Sequence, residues 1–343
     1  MNGVVFLGDR KLALQAFPDP TPGAGEVVIA VGASGMCGSD LHYYRAVPSV
    51  GAGSQPVCIG GHEPAGTVTA VGAGVLPSQA AVGDRVMVHH YAGCGTCASC
   101  RSGWTQMCTR QAATVYGKNE HGAHAPYMKV AAMSVLPLPD ALSFEAAAAI
   151  GCGTGTAWGA LERLGEVGGQ DVVVSGQGPV GQSATLLAHA RGARVIAVDP
   201  SPDRRQQALQ MGADAVVDPT AGDVPEQVRE LTAGRGASAV VETSGATAAA
   251  AAALGALAPW GRLCVVGLGG VVSLDVRQQL SRQLTVMTSW SLSSVQQLEC
   301  ADFVLRRHLP VADLFTDRWT LHQAEDAYRA FDRQDSGKGA FVF

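Results

Sequence analysis

The chain has 343 residues, 47% of them apolar and 15% charged, and a formal net charge of −5 at pH 7. That length allows two domains with buried cores, and the composition excludes a disordered chain. The mild acidity gives no reason to expect nucleic acid or an anionic membrane as partner. No run approaches the ~18 apolar residues of a membrane span, and Met1 to Leu14 lack the marks of a secretory signal. A cytoplasmic chain is therefore expected. Its nine cysteines, an odd number, are expected to be reduced or metal-bound rather than paired in disulfides.

Residues 1 to about 150 read as β-rich. Short apolar runs such as Val27–Val31 and Arg85–Val88 are separated by Gly, Pro and Ser. Two chemically suggestive pieces lie here: Cys37-Gly38-Ser39-Asp40-Leu41-His42 and Gly61-His62-Glu63. Neither decides anything alone, because an isolated Cys is more often a small buried residue and an isolated His a satisfied core residue. The run Cys94-x2-Cys97-x2-Cys100-x7-Cys108 is more specific. Four thiolates around Zn2+ form a closed tetrahedral site. With no open position, such a metal holds a lobe together and does no chemistry.

Ala146 to Ala149 read as helix, since Ala is the best helix former, and the third piece, Gly151-Cys152-Gly153, follows. From about 151 to 290, strand and helix alternate. Val172–Ser175, Val195–Val198, Ala215–Val217, Val240–Glu242 and Leu263–Val266 are short, nearly continuous apolar strands. Such strands suit a parallel sheet covered on both faces. The first runs into Gly176-Gln177-Gly178-Pro179-Val180-Gly181, and an apolar helix follows. In that context the glycines mark a dinucleotide site, with the pyrophosphate at the helix N-terminus. Asp199 ends the second strand, where a carboxylate accepts from a ribose diol and repels a 2′-phosphate, favouring NAD over NADP. The alternative is a cap for the helix that follows. Arg204 is a ribose or adenine candidate, or simply solvated, and Val266 is a further candidate cofactor contact. From about 291 the pattern is mixed. Ala324, Ala327, Tyr328 and Phe331 mark the apolar face of a helix, and Lys338–Phe343 reads as a closing strand.

Taken together, the motifs resemble the zinc-containing medium-chain alcohol and polyol dehydrogenases. The resemblance runs through CGSDLH, GHEPAGTV, VGDRV at 82–86, the four-cysteine lobe, GCGTGTAWGAL at 151–161, GQGPVG, the following Asp, and the SGKGAFVF end. It implies a doubly wound parallel Rossmann sheet plus a mostly β GroES-like catalytic domain. The expected domains are 1–150 (catalytic, with the structural zinc lobe near 90–110), 151–290 (NAD-binding) and 291–343, which returns to the catalytic domain. It implies two Zn2+ per subunit and NAD.

The resemblance makes Cys37, His62 and Cys152 ligands of a catalytic zinc, with a fourth position open. It places Glu63 near that metal. Asp40 resembles the carboxylate that orients His62; Ser39 and His42 resemble members of a proton relay. Cys152 points toward alcohol dehydrogenases, since sorbitol-type relatives often carry a carboxylate there. Gly38 stands where some alcohol dehydrogenases place an Arg on the pyrophosphate; Lys338 is a candidate substitute, or a solvated surface residue. The implied reaction passes hydride between an alcohol (primary or secondary) or its carbonyl product and NAD. A polyol or amino-alcohol dehydrogenase is the alternative within enzymes, and a non-catalytic NAD-binding protein on the same fold the alternative outside them. The resemblance also implies a homodimer or homotetramer.

Overall fold

The five apolar runs between residues 172 and 266 lie side by side in one parallel sheet. They belong to a computed structural model of the chain, in which residues 1–47, 58–334 and 337–343 are described. The strands are β1 (Asp171–Ser175), β2 (Arg194–Val198), β3 (Ala215–Val217), β4 (Ala237–Glu242) and β5 (Leu257–Val265), joined by an edge strand β6 (Thr285–Thr288). The order is β3-β2-β1-β4-β5-β6 and every pairing is parallel. The order reverses between β1 and β4, which makes the carboxyl ends there the binding crevice of a doubly wound sheet.

Strand alternation accounts for the all-apolar sequences. Val173, Ile196, Val198, Val240 and Leu263 pack in one cluster with Val224, Val228, Ala253 and Leu254. Those four come from the helices Val224–Leu231 and Thr247–Ala256. The intervening residues Val172, Val174, Val195 and Ala197 point to the opposite face, and they too are fully buried. Two features differ from the sequence reading. β5 starts at Leu257 rather than Leu263: its first part crosses Pro259 and Gly261, with an irregular register opposite β4 and Trp260 at φ 63°. β6 escaped notice because it lies at the edge, where most of its side chains are exposed.

The sheet and its helices form one of two compact units, Gly153–Leu292; the other combines Met1–Cys152 with Ser293–Phe343. In this second unit the long strand Glu26–Gly35 pairs antiparallel with Glu63–Val71, Tyr127–Ala131 and Lys338–Val342. The chain's last strand therefore lies beside one of its first. Ser336, the first residue of the C-terminal motif, lies outside the described residues. The stripe Ala324, Ala327, Tyr328 and Phe331 is buried, as its spacing predicts, against Met36, Leu41, Tyr44 and Phe341. Among the described residues no helix is long and apolar enough to cross a membrane.

Phe341 is fully buried in that aromatic cluster. Phe341→Ala is expected to cost about 3–5 kcal/mol, read from the midpoint of urea unfolding. A loss below about 1 kcal/mol would mean that the cluster collapses into the gap.

Candidate metal and cofactor sites

The four cysteines of the lobe converge. The sulfurs of Cys94, Cys97, Cys100 and Cys108 all lie within 4.8 Å of one another. Cys97 Sγ and Cys108 Sγ are 4.0 Å apart, close to the edge of about 3.8 Å that Zn–S bonds near 2.3 Å give a tetrahedron. Backbone N–H groups already serve the sulfurs: those of Thr96 and Cys97 donate to Cys94 Sγ, and that of Cys94 to Cys108 Sγ. Such bonds favour thiolate. Backbone donors bring the Cys97 thiol down to about 5, and the Thr96 hydroxyl and amide bring Cys94 to about 7. Burial pushes Cys100 up to about 12. The lobe is tied down where the Ser294 amide donates to the Gly103 carbonyl at 3.0 Å.

The second cluster is assembled from distant segments. Register places Gly35, at the end of one strand, opposite Glu63, at the start of the next. Cys37 follows the first strand and His62 precedes the second, so both arrive at the same edge. Cys152 ends the helix Phe144–Gly151. One ligand atom from each of Cys37, His62, Glu63 and Cys152 lies within 4.8 Å of the others. Cys37 Sγ and Cys152 Sγ are 3.9 Å apart, and Cys152 Sγ lies 3.5 Å from His62 Nε2. Both separations match tetrahedral edges of about 3.8 and 3.6 Å for bonds near 2.3 and 2.05 Å. The donor set of two thiols and an imidazole suits Zn2+. Glu63 Oε1 is buried without a hydrogen-bond partner, a group whose burial is costly unless an ion or water serves it.

Asp40 is fully buried and makes two local contacts: Oδ2 accepts from the Cys37 amide at 2.9 Å, and Oδ1 lies 3.0 Å from His62 Nδ1. That leaves His62 Nε2 facing the sulfurs. Ser39 begins the helix Asp40–Arg45 but does not cap it with its side chain; its Oγ lies 3.3 Å from His62 Nε2 instead. His42 is exposed on the same short helix and stands outside the cluster.

The two thiols share their charge unequally. The hydrogen bond from Cys152 lowers Cys37 well below the ordinary thiol range, against burial. The same contact and burial hold Cys152 well above it. Burial raises Glu63 to about 7 in spite of the adjacent Lys338.

Lys338 requires a correction. Its chain end suggested a surface residue or a pyrophosphate contact. The structure buries it: Nζ lies 2.5 Å from Glu63 Oε2 and donates to the Met36 carbonyl at 3.0 Å. An ammonium held this way is committed to Glu63 and is not free to neutralise a phosphate. The strand Lys338–Val342 draws it inward, and sequence separation hid that pairing.

The glycine-rich turn follows β1. Gly176 adopts φ +87°, and a Cβ on Gly181 would meet the Gly176 carbonyl at 1.8 Å. A Cβ on Gly178 would meet nothing within 4 Å, so the backbone there is open to approach. Pro179 and Val180 open the helix Pro179–Ala190, Pro179 where its missing N–H is no loss. Asp199 is nearly buried; its two oxygens accept from the Gln177 and Ser201 amides at 2.7 and 2.8 Å. It therefore braces the glycine turn, and the helix cap is Ser201. Arg204 is half-buried on that helix. Its neighbour Arg205 donates to the Asp199 and Pro200 carbonyls and pairs with Asp218. Val266 lies just past β5, at the same carboxyl edge of the sheet.

Comparison with known proteins agrees with this construction. Residues 23–140 match the family model of the alcohol dehydrogenase GroES-like domain, and residues 179–306 that of zinc-binding dehydrogenases. An uncharacterised zinc-type alcohol dehydrogenase-like protein of Escherichia coli is 38% identical over 98% of this chain and 97% of its own length. An L-threonine 3-dehydrogenase of Pyrococcus abyssi is 37% identical over 75% and 72%. A solved NAD-dependent alcohol dehydrogenase superposes with a TM-score of 0.88 at 31% identity, covering all of both chains. The chain belongs to the zinc-containing medium-chain alcohol and polyol dehydrogenase family, and it is an oxidoreductase of that family.

Metal content separates the two clusters. Cys152→Ala is expected to retain one zinc per subunit by elemental analysis and to lose turnover, while Cys97→Ser loses the other zinc and much of its thermal stability. Two zincs and normal turnover in Cys152→Ala would remove Cys152 from the ligand set.

Proposed function

We propose that this protein is a zinc- and NAD-dependent alcohol dehydrogenase that interconverts a small primary or secondary alcohol and its aldehyde or ketone, with two Zn2+ per subunit. The observation that carries the reading is the convergence of Cys37, His62 and Cys152 at tetrahedral spacing. These three would hold the catalytic ion and leave a position open; Cys94, Cys97, Cys100 and Cys108 would hold the structural one. Bound Zn2+ supplies Lewis acidity that makes an alcohol hydroxyl easier to deprotonate. NAD supplies the hydride acceptor.

The chain's own residues supply the rest. Asp40 keeps the His62 proton on Nδ1, so that Nε2 remains a ligand. Ser39 Oγ, beside His62 Nε2, is placed to accept the alcohol proton while it gives up its own toward solvent, where exposed His42, three residues on, would take it up. Lys338 holds Glu63 Oε2 by a buried ion pair. The turn Gly176–Gly181 receives the pyrophosphate, and Asp199 the adenosine ribose. With one amide on each oxygen, the Asp199 carboxylate still has lone pairs for a ribose diol.

The likeness to an L-threonine 3-dehydrogenase supports a second reading, a polyol or amino-alcohol substrate on the same machinery. A non-catalytic NAD-binding role is disfavoured by the complete donor set. A panel of primary, secondary, cyclic, polyhydroxy and amino alcohols with NAD and with NADP, followed by absorbance of the reduced cofactor, distinguishes these readings. Asp199→Ala is expected to weaken NAD at least tenfold more than NADP. An unchanged cofactor preference would remove the ribose role.

A homodimer or homotetramer completes the proposal. Leu268, Val271, Leu274, Val276, Leu280 and Trp290 are all exposed around the edge strand β6. Contiguous exposed apolar groups beside an unpaired edge suit a second copy of this chain. Leu280→Glu is expected to lower the mass measured by light scattering, and a wild-type monomer would overturn the assignment.

A further inference from the structure

The carboxylate beside His62 is the end of a longer chain of hydrogen bonds. Asp40 Oδ2 lies 3.3 Å from the Tyr328 hydroxyl. The Tyr328 oxygen lies 2.7 Å from His124 Nε2, and His124 Nδ1 lies 2.8 Å from Ser34 Oγ. Asp40, Tyr328, His124 and Ser34 are all fully buried. They come from four places in the fold: the helix Asp40–Arg45, the helix Ala324–Arg333, the segment between Val115 and Tyr127, and the strand Glu26–Gly35.

The direction of each bond follows by elimination. A carboxylate only accepts, so Tyr328 donates to Asp40. The Tyr328 oxygen then accepts from His124, which puts the His124 proton on Nε2. His124 Nδ1 is left as an acceptor, and Ser34 donates to it. Burial lowers His124 to about 4, so near neutral pH the ring carries one proton, as this arrangement requires. Every donor points toward Asp40, and Asp40 in turn accepts from His62 Nδ1.

Packing shows that His124 is fitted to this place. A Cβ on Gly61 would lie 2.3 Å from His124 Nδ1, so the residue before His62 has to be bare. Gly61 also takes φ +88°. The His124 amide donates to the Gly60 carbonyl and the Ala123 amide to the Gly61 carbonyl, both at 2.9 Å. The surroundings are otherwise aromatic, with Phe6 and Phe341 packed edge-on to the His124 ring. Three polar side chains buried among such rings are costly unless paired, and each is paired along one line that ends at a metal ligand.

We propose that Tyr328 and His124 are positioning residues for the catalytic zinc: the chain Ser34–His124–Tyr328–Asp40 fixes the Asp40 carboxylate so that His62 presents an unprotonated Nε2 to the metal. The proposal rests on the reading of Cys37, His62 and Cys152 as zinc ligands. Tyr328 touches no reacting atom in this scheme. Its effect passes through Asp40, and the hydroxyl, not the ring, carries it.

The test is the release of zinc from the fully loaded enzyme to a chromophoric chelator, which resolves the two metals by rate. Partners one step beyond a ligand typically matter 10–100-fold for metal affinity. Tyr328 lies one step further than Asp40, so Tyr328→Phe, which keeps the ring, is expected to speed release of one zinc about threefold or more, leaving the four-cysteine zinc unchanged. In an Asp40→Asn background the same substitution is expected to add less than twofold. Release unchanged in Tyr328→Phe, release of both zincs accelerated alike, or full additivity with Asp40→Asn would each overturn the chain. If Tyr328→Phe fails to fold, Ser34→Ala poses the question from the far end: faster release of the same zinc by at least twofold supports the chain, and unchanged release overturns it. A wild-type enzyme whose zinc content is unchanged by Cys152→Ala would overturn the metal reading and this inference with it. Two wild-type zincs with unaltered release in the variants would overturn the inference alone.

Discussion

The pairing of Glu26–Gly35 with Glu63–Val71 is the constraint on which the rest depends. Cys37 and His62 sit just beyond facing strand ends, so their meeting is a property of register. A slip of one residue would turn every side chain of one strand to the other face. Bare positions keep the register tight. A Cβ on Gly35 would meet the Glu63 carboxylate at 2.0 Å, and one on Gly32 would meet the Phe144 ring at 2.3 Å. Phe144 begins the helix that ends at Cys152. The same sheet that aligns two ligands therefore seats the helix that carries the third.

Charge is the second constraint at this edge. Two thiols, a carboxylate and an ammonium are buried together. Lys338 offsets Glu63, and the thiols are left to be balanced. The two thiols share one hydrogen bond, in which Cys152 keeps its proton and Cys37 accepts; that contact lowers Cys37 and raises Cys152. A divalent cation bound among them would offset both thiolates, and the Asp40 carboxylate is served by the hydrogen bonds it accepts. Buried charge is tolerated when it is compensated in this manner and is costly otherwise. The pair Lys338–Glu63 is thus part of the metal site's electrostatics, although neither the Lys nor its strand lies near the ligands in sequence.

What the sequence revealed divides along the same line. The cysteine lobe and the glycine turn are local, and their spacing alone exposed them. The five apolar strands were legible because a sheet covered on both faces leaves nearly unbroken apolar runs. The starting point of β5 was not, since Pro259 and Gly261 read as breakers, and β6 was not, since an exposed edge lacks that signature. The stripe containing Tyr328 was visible as a helix face. Its hydroxyl was not, because a periodic pattern counts Tyr as one more apolar residue and cannot show that its oxygen meets Asp40. Lys338 was misread for a related reason: a charge near a chain end is usually solvated, and only the pairing of the last strand with Glu26–Gly35 buries it.

This difference between local and non-local construction bears on how metal binding at each cluster would couple to folding. Cys94 to Cys108 close a short loop, so bringing four thiols together costs little chain entropy. Their backbone donors come from the same segment, which makes the lobe nearly self-sufficient. Cys37 and Cys152 are separated by most of their unit, and His62 is oriented through Asp40 and Tyr328, residues 288 positions apart. That site exists only when the strands have paired and the C-terminal helix has docked. Metal bound at the lobe would stabilise a piece of the fold; metal bound at the other site would report that the whole unit is in place. An enzyme built this way keeps its reactive centre from forming until the framework that controls it is complete.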